Sequence, residues 1–265
     1  MKDSQIITSR TNPKVKALID LKDSKEHFFV EGYRIIEEIL RANLMPVEVI
    51  YTSESGLNPI TIKAKSMALS FTSMSGHVFE KISDTKEPQG LAAFFKKPIY
   101  KLDDIINKSG EKAVFLLLHE IQDPGNLGTI FRTARAAGVA AIILTKKSVT
   151  VTNTKVIRSS MGTVLSVPFI DDIRINDAIS YLRNGRVFIA VTDLKSGENI
   201  YETEYKLPVC FVLGNEAHGL PEEILSKADF SLKIPIINDI ESLNLSVSAS
   251  VLMYDAVKRF LLFKK

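Results

Sequence analysis

The chain has 265 residues, of which 45% are hydrophobic, enough to bury a sizeable core in one large domain or two modest ones. A single cysteine, Cys210, excludes an internal disulfide, and apolar runs such as 113–118 and 140–144 are far too short to cross a bilayer. The opening Met1-Lys2-Asp3-Ser4-Gln5 lacks the apolar core of a secretory signal, so a cytoplasmic location is expected, and a net charge of +3 by itself names no partner.

In chain order, Asn12 is placed to cap a helix with Pro13 at its first position. Residues 28–32 read as a strand, 33–42 as a helix with Ile35, Ile36, Ile39 and Leu40 at helical spacing, and 47–51 and 90–95 as further strands. Residues 1–100 thus predict a small α/β unit, and 101–112, bracketed by lysines, a linker. From 113 to 265 short apolar strands alternate with helices. Strand 113–118 precedes helix 127–137, strand 140–144 helix 154–161, and strand 165–170 helix 175–183. Strands 186–191 and 209–213, helix 221–227, strand 230–234 and a long helix 245–263 complete the series. This alternation predicts an α/β domain with a mostly parallel sheet covered on both faces.

Several catalytic templates are missing. No G-x-G-x-x-G follows a predicted strand, and there is no phosphate-binding G-x-x-x-x-G-K-[ST] and no G-x-S-x-G elbow. The four histidines, His27, His77, His119 and His218, are scattered without metal-ligand spacing, so no metal is expected. The charge distribution says more than the net charge. Between Pro124 and Ile170 there is no Asp or Glu, while Arg132, Arg135, Lys146, Lys147, Lys155 and Arg158 all fall there, a pattern suited to a polyanion.

Three segments in the second half carry the chemistry. Asp123 to Arg135 places a turn directly before a helix; Asn126 is positioned to cap it, and Arg132 and Arg135, three apart, share its outer face. Val212-Leu213-Gly214-Asn215-Glu216-Ala217-His218-Gly219-Leu220 is a buried strand ending in a glycine loop, where the backbone can approach a ligand closely. Ile234-Pro235-Ile236 and Glu241-Ser242-Leu243-Asn244-Leu245-Ser246-Val247-Ser248 are a second strand-end loop and the start of a small-residue helix. Loops at the carboxyl ends of buried strands are where open α/β sheets bind ligands.

Taken together, these segments resemble the three signature motifs of the SpoU/TrmH family, in the SPOUT superfamily of RNA ribose 2′-O-methyltransferases. The resemblance implies a trefoil-knotted methyltransferase domain over 113–265, preceded by a smaller, ribosomal-protein-like α/β RNA-binding domain. The second part is carried by residues 9–16, 29–34 and 88–92. It also implies S-adenosyl-L-methionine as cofactor, RNA as substrate and a homodimer, with no membrane and no metal. The extra N-terminal domain favours ribosomal over transfer RNA; a non-catalytic knot-fold RNA-binding protein is the alternative of a different class. Carried over by motif, Asn126, Arg132 and Glu216 are the catalytic residues. The cofactor would be held by Leu213, Gly214, Glu216, Gly219, Ile234, Ile236, Ser242, Leu243, Asn244 and Ser246. Arg10, Lys14, Lys16, Arg132, Arg135 and Arg158 would meet the RNA. One position departs from the family pattern: Asn238 stands where glycine is usual, and asparagine tolerates a left-handed backbone better than most residues.

Overall fold

A computed structural model describes residues 6–195 and 197–262, with no side-chain description for 260–262. The chain divides into two compact units. One comprises residues 1–98 with 151–166, the other 99–150 with 167–265.

The first unit is a four-stranded mixed sheet with helices. Helix α1 (Pro13–Asp23) starts as expected: Asn12 caps it, its side chain accepting from the Lys14 amide at 2.9 Å. Strands β1 (His27–Glu31) and β2 (Glu48–Thr52) flank β4 (Leu91–Lys96) and pair with it antiparallel. β3 (Phe71–Met74) adds to β2 in parallel. Helices α2 (Tyr33–Arg41), α3 (Pro59–Met67) and α4 (Gly76–Ile82) complete the unit. Phe29, Ile50, Met74, Phe79, Ala92 and Phe94 form much of its core.

Residues 151–166 were expected to belong to the second domain but pack with this first unit. Asn153 caps α7 (Thr154–Ser159), and the left-handed Gly162 (φ 83°) follows it. A β-carbon on Gly162 would lie 2.9 Å from Ile39 Cγ1, so this close approach requires glycine. The strand expected at 165–170 also lies later. Thr163–Leu165 is a 3₁₀ turn, and β7 runs Phe169–Ile173, beginning immediately after Pro168. Proline supplies no amide hydrogen to a ladder, so the strand starts beyond it.

In the second unit, after α5 (Leu102–Lys108), the sheet has seven strands in the order β7-β6-β5-β10-β8-β11-β9. These are β5 (Val114–Leu118), β6 (Ala141–Thr145), β7, β8 (Phe188–Thr192), β9 (Glu198–Asn199), β10 (Val209–Leu213) and β11 (Phe230–Lys233). Every pairing in it is parallel. The central strands are buried along their whole length, which accounts for their unbroken apolar sequences. Alternation still decides which face each residue serves. Phe115, Leu117, Cys210 and Val212 enter one core cluster with Ala178 and Leu182 of α8 (Ile175–Asn184) and Ile224 of α9 (Glu222–Leu225). Cys210 is fully buried, and desolvation pushes its thiol well above the ordinary range, an inert group. The last helix, α10 (Leu245–Ala256), is shorter than the expected 245–263. It passes into a π-helical turn over Val257–Leu262, and 263 lies outside the described residues.

Candidate active site

β5 and β10 lie side by side in the middle of the sheet, with Leu118 opposite Leu213 at their carboxyl ends. From β5 the chain continues to β6 on one side; from β10 it goes to β11, beyond β8, on the other. Such a divergence opens a crevice at the strand ends, where doubly wound sheets place ligands.

After β5, helix α6 (Pro124–Ala137) opens with Pro124 at its first position. Asn126, expected to cap this helix, does not. Asp123 is the cap, its Oδ1 accepting from the Asn126 amide at 2.7 Å. Proline at the first helical position fixes the start three residues earlier than a cap at Asn126 would. Asn126 therefore sits in the first turn with its side chain released from capping. Arg132 and Arg135 are exposed on the outer face, while Ile130, Phe131 and Ala134 are buried, as the spacing predicted.

After β10, Asn215 and Gly219 close a tight loop. The Asn215 amide donates to the Gly219 carbonyl at 3.1 Å and the Gly219 amide returns the bond at 2.9 Å. Gly219 is left-handed (φ 67°). Gly214 lies so close to it that an added β-carbon would sit 2.2 Å from the Gly219 carbonyl carbon. No side chain fits that backbone cradle. Asn215 braces the loop a second time, donating from Nδ2 to the Glu120 carbonyl at 2.8 Å and accepting the Ala217 amide at 2.9 Å. Sequence reasoning missed this brace, because an asparagine beside glycine reads simply as a turn residue.

Side chains join the three segments. Asn126 Nδ2 donates to Glu216 Oε1 at 3.2 Å across 90 residues of sequence, and Asn244 Nδ2 donates to Asn126 Oδ1 at 3.0 Å across 118. Asn244 is also the cap of α10, its Oδ1 accepting from the Ser246 amide at 2.9 Å and the Val247 amide at 3.4 Å. Farther along, Ser250 Oγ donates to Thr133 Oγ1 at 3.3 Å, joining α10 to α6.

The remaining cofactor candidates surround this cluster in sequence, and their burial differs. Leu213 is buried; Ile234, Ile236 and Leu243 are half-buried; Ser242 is exposed. Ser246 is buried with its hydroxyl on Asn244 Oδ1 at 2.6 Å, so its polar group is engaged within the protein. Asn238 is exposed and is not among the residues with positive φ, so no left-handed backbone is needed there. A strand-end cradle that only glycine permits, beside half-buried aliphatic side chains, suits an adenosine held largely by backbone. Among the described residues no group of acidic, histidine or cysteine side chains is arranged to hold a metal.

The other RNA candidates belong to the first unit. Arg10 pairs with Glu80 at 3.3 Å and donates to the His77 carbonyl, and Lys14 pairs with Glu48 at 2.8 Å. Lys16 and Arg158 are exposed.

Comparison with known proteins gives the family. Residues 113–254 match the model of the SpoU rRNA Methylase family, and 12–93 that of the MRM3-like substrate binding domain. The 23S rRNA (guanosine(2553)-2′-O)-methyltransferase RlmP of Bacillus subtilis is 30% identical over 94% of this chain and 97% of its own length. An uncharacterized tRNA/rRNA methyltransferase of Synechocystis is 30% identical over 96% of this chain and 94% of its own. The crystal structure of an AdoMet-bound rRNA methyltransferase from Sinorhizobium meliloti superposes with a TM-score of 0.85 at 28% identity, covering 97% of this chain and 98% of that one. With both the glycine cradle and the Asn126, Glu216, Asn244 cluster in place, the chain belongs to the SpoU rRNA Methylase family.

Proposed function

We propose that the protein is an S-adenosyl-L-methionine-dependent methyltransferase acting on a ribose 2′-hydroxyl in RNA, with ribosomal RNA as its substrate. The observation that carries this is the hydrogen-bonded cluster linking Asn126, Glu216 and Asn244 beside the Gly214 cradle. The relatives' names support RNA and favour ribosomal RNA, since RlmP acts on 23S rRNA and matches this chain almost end to end.

Leu213, Gly214, Gly219, Ile234, Ile236, Ser242 and Leu243 would hold the cofactor, which would supply a sulfonium-bound methyl group. A ribose hydroxyl is a weak nucleophile until its proton leaves. Arg132, exposed on α6, stabilises the developing alkoxide while keeping its own proton, as guanidinium does. Glu216 receives the ribose proton directly or through water, and its carboxylate is held in place by Asn126. The second Asn126 amide proton is left to orient the ribose or an adjacent phosphate. Arg132, Arg135 and, in the first unit, Lys16, Arg10, Lys14 and Arg158 supply phosphate contacts.

We also infer a homodimer and a trefoil knot. On α10, exposed Val247 and Tyr254 and half-buried Val251 form an apolar stripe one heptad long. Leu261 and Leu262, farther along the chain, have side chains outside the described residues. β10 inserts between β5 and β8, strands laid down earlier, which is a crossing such a knot needs. No helix among the described residues is long and apolar enough to cross a membrane; the cytoplasm, where ribosomal RNA is, is our placement.

Incubation with methyl-labelled cofactor and separated ribosomal and transfer RNA fractions tests the reading. Label should enter ribosomal RNA and not transfer RNA. Entry into transfer RNA alone would overturn the substrate, and entry into neither would overturn the activity.

A further inference from the structure

We propose that Asn244, held by Ser246, is a positioning residue that fixes which way the Asn126 amide faces and so keeps a donor on Glu216. The inference rests on the methyl-transfer reading and gives the two residues a task other than holding cofactor. A carboxamide has an acceptor end and a donor end of nearly equal shape, and only its partners decide the orientation. Asn244 Oδ1 is committed three times over: to the Ser246 amide at 2.9 Å, the Val247 amide at 3.4 Å and the Ser246 hydroxyl at 2.6 Å. All three are donors at the amino end of α10, so they demand an oxygen there. The other end of Asn244 must then be its NH₂ group, which donates to Asn126 Oδ1 at 3.0 Å. With its oxygen claimed, Asn126 can present only Nδ2 to Glu216, which it reaches at 3.2 Å.

The order runs one way, from helix end to Asn244 to Asn126 to Glu216. Reversing Asn126 would set its oxygen against both the carboxylate and any phosphate beside it. Reversing Asn244 would set an NH₂ group against two backbone amides. Ser246 is 7% exposed, so its hydroxyl is kept on Asn244 rather than on water. The capping interaction of α10 is thus read out at the catalytic carboxylate.

Asn244→Asp separates positioning from capping. Aspartate caps a helix about as well as asparagine but cannot donate. The expected result is a kcat lower by about tenfold to a hundredfold, the scale of one lost hydrogen bond to a charged group. Melting temperature and calorimetric S-adenosyl-L-methionine affinity should stay at wild-type values. Placed on Asn126→Ala, the same change should cost nothing further, because Asn244 acts through Asn126. A wild-type kcat in Asn244→Asp would overturn the proposal. So would a kcat loss matched by falls in melting temperature and cofactor affinity, or a full additional loss in the Asn126→Ala background. A second measurement needs no activity: the side-chain amide NMR signals of Asn126, identified by their loss in Asn126→Ala. They should move and broaden in Asn244→Asp; unchanged signals would reject the relay even if the wild-type protein transferred no methyl group. Absence of wild-type transfer would instead count against the methyl-transfer reading alone.

Discussion

The guanidinium of Arg132 is exposed on α6 and has no hydrogen-bond or ion-pair partner among the described residues, as its proposed role on the substrate requires. Arg132→Lys keeps the charge and loses the fork, while Arg132→Ala loses both. If charge on the alkoxide is what matters, lysine retains far more activity than alanine, and alanine costs about a hundredfold or more in kcat. Equal rates for alanine and wild type, with RNA and cofactor binding intact, would remove Arg132 from the chemistry. At Gly214 even one methyl group is too many. Gly214→Ala places a β-carbon 2.2 Å from the Gly219 backbone, so the loop must open. Calorimetry should show loss of S-adenosyl-L-methionine binding in this variant; normal affinity would put the cofactor elsewhere. The residues of this candidate site can be picked out from the sequence motifs, but their hydrogen-bond partners in the fold cannot. Asn126 reads as a cap because the motif ends in a helix. Asp123 takes that role, and the contact from Asn126 to Glu216 spans 90 positions that no local pattern connects.

At the scale of elements, the π-helical turn after α10 is anchored through Asp255. Its Oδ2 accepts from the Tyr205 hydroxyl at 2.7 Å and from Arg259 Nε at 2.7 Å, and Arg259 also donates to the Thr203 carbonyl. Burial, with the Asp255 carboxylate beside it, pushes the Tyr205 hydroxyl far up, so it stays a donor. Asp255→Ala strands both partners and should cost about 3–5 kcal/mol in chemical denaturation; a loss below about 1 kcal/mol would mean water replaces the carboxylate freely. His119, after β5, is a second case. Desolvation lowers its imidazole below the ordinary 6.5, Glu120 opposing and Lys147 adding to the shift. The unfolded chain then binds the proton more readily than the folded one. The stability His119 contributes is therefore complete above pH 6.5 and is lost as the pH falls below it. His119→Gln should flatten the fall in melting temperature on acidification below that point, and an unchanged slope would assign the fall to other groups. The strands of the central sheet were readable because both faces are buried. By contrast β3, Phe71-Thr72-Ser73-Met74, buries the polar Thr72 and Ser73 and so lacks an apolar run to mark a strand, and α3 buries only Thr61 and Ala64, too little to mark a periodic face. The two-residue β9 has no pattern to read.

For the whole molecule, analytical ultracentrifugation at micromolar concentration should give a dimer mass, and a monomer after Val247→Glu with Tyr254→Glu. A wild-type monomer would remove the α10 stripe from the interface. The division between units was only partly visible in sequence. Residues 151–166 follow β6 in a regular alternating series, and nothing local shows that they pack with the first unit; the need for glycine at 162 beside Ile35 and Ile39 is a tertiary fact. The claim on which all else rests is transfer of methyl to a ribose 2′-oxygen. Alkaline hydrolysis cuts RNA by attack of the 2′-hydroxyl on the adjacent phosphate, so a 2′-O-methyl group blocks the cut after its own nucleotide. Ribosomal RNA labelled by this protein and then hydrolysed should carry its label in an uncut dinucleotide; label recovered in ordinary mononucleotides would place the methyl on a base and contradict the account.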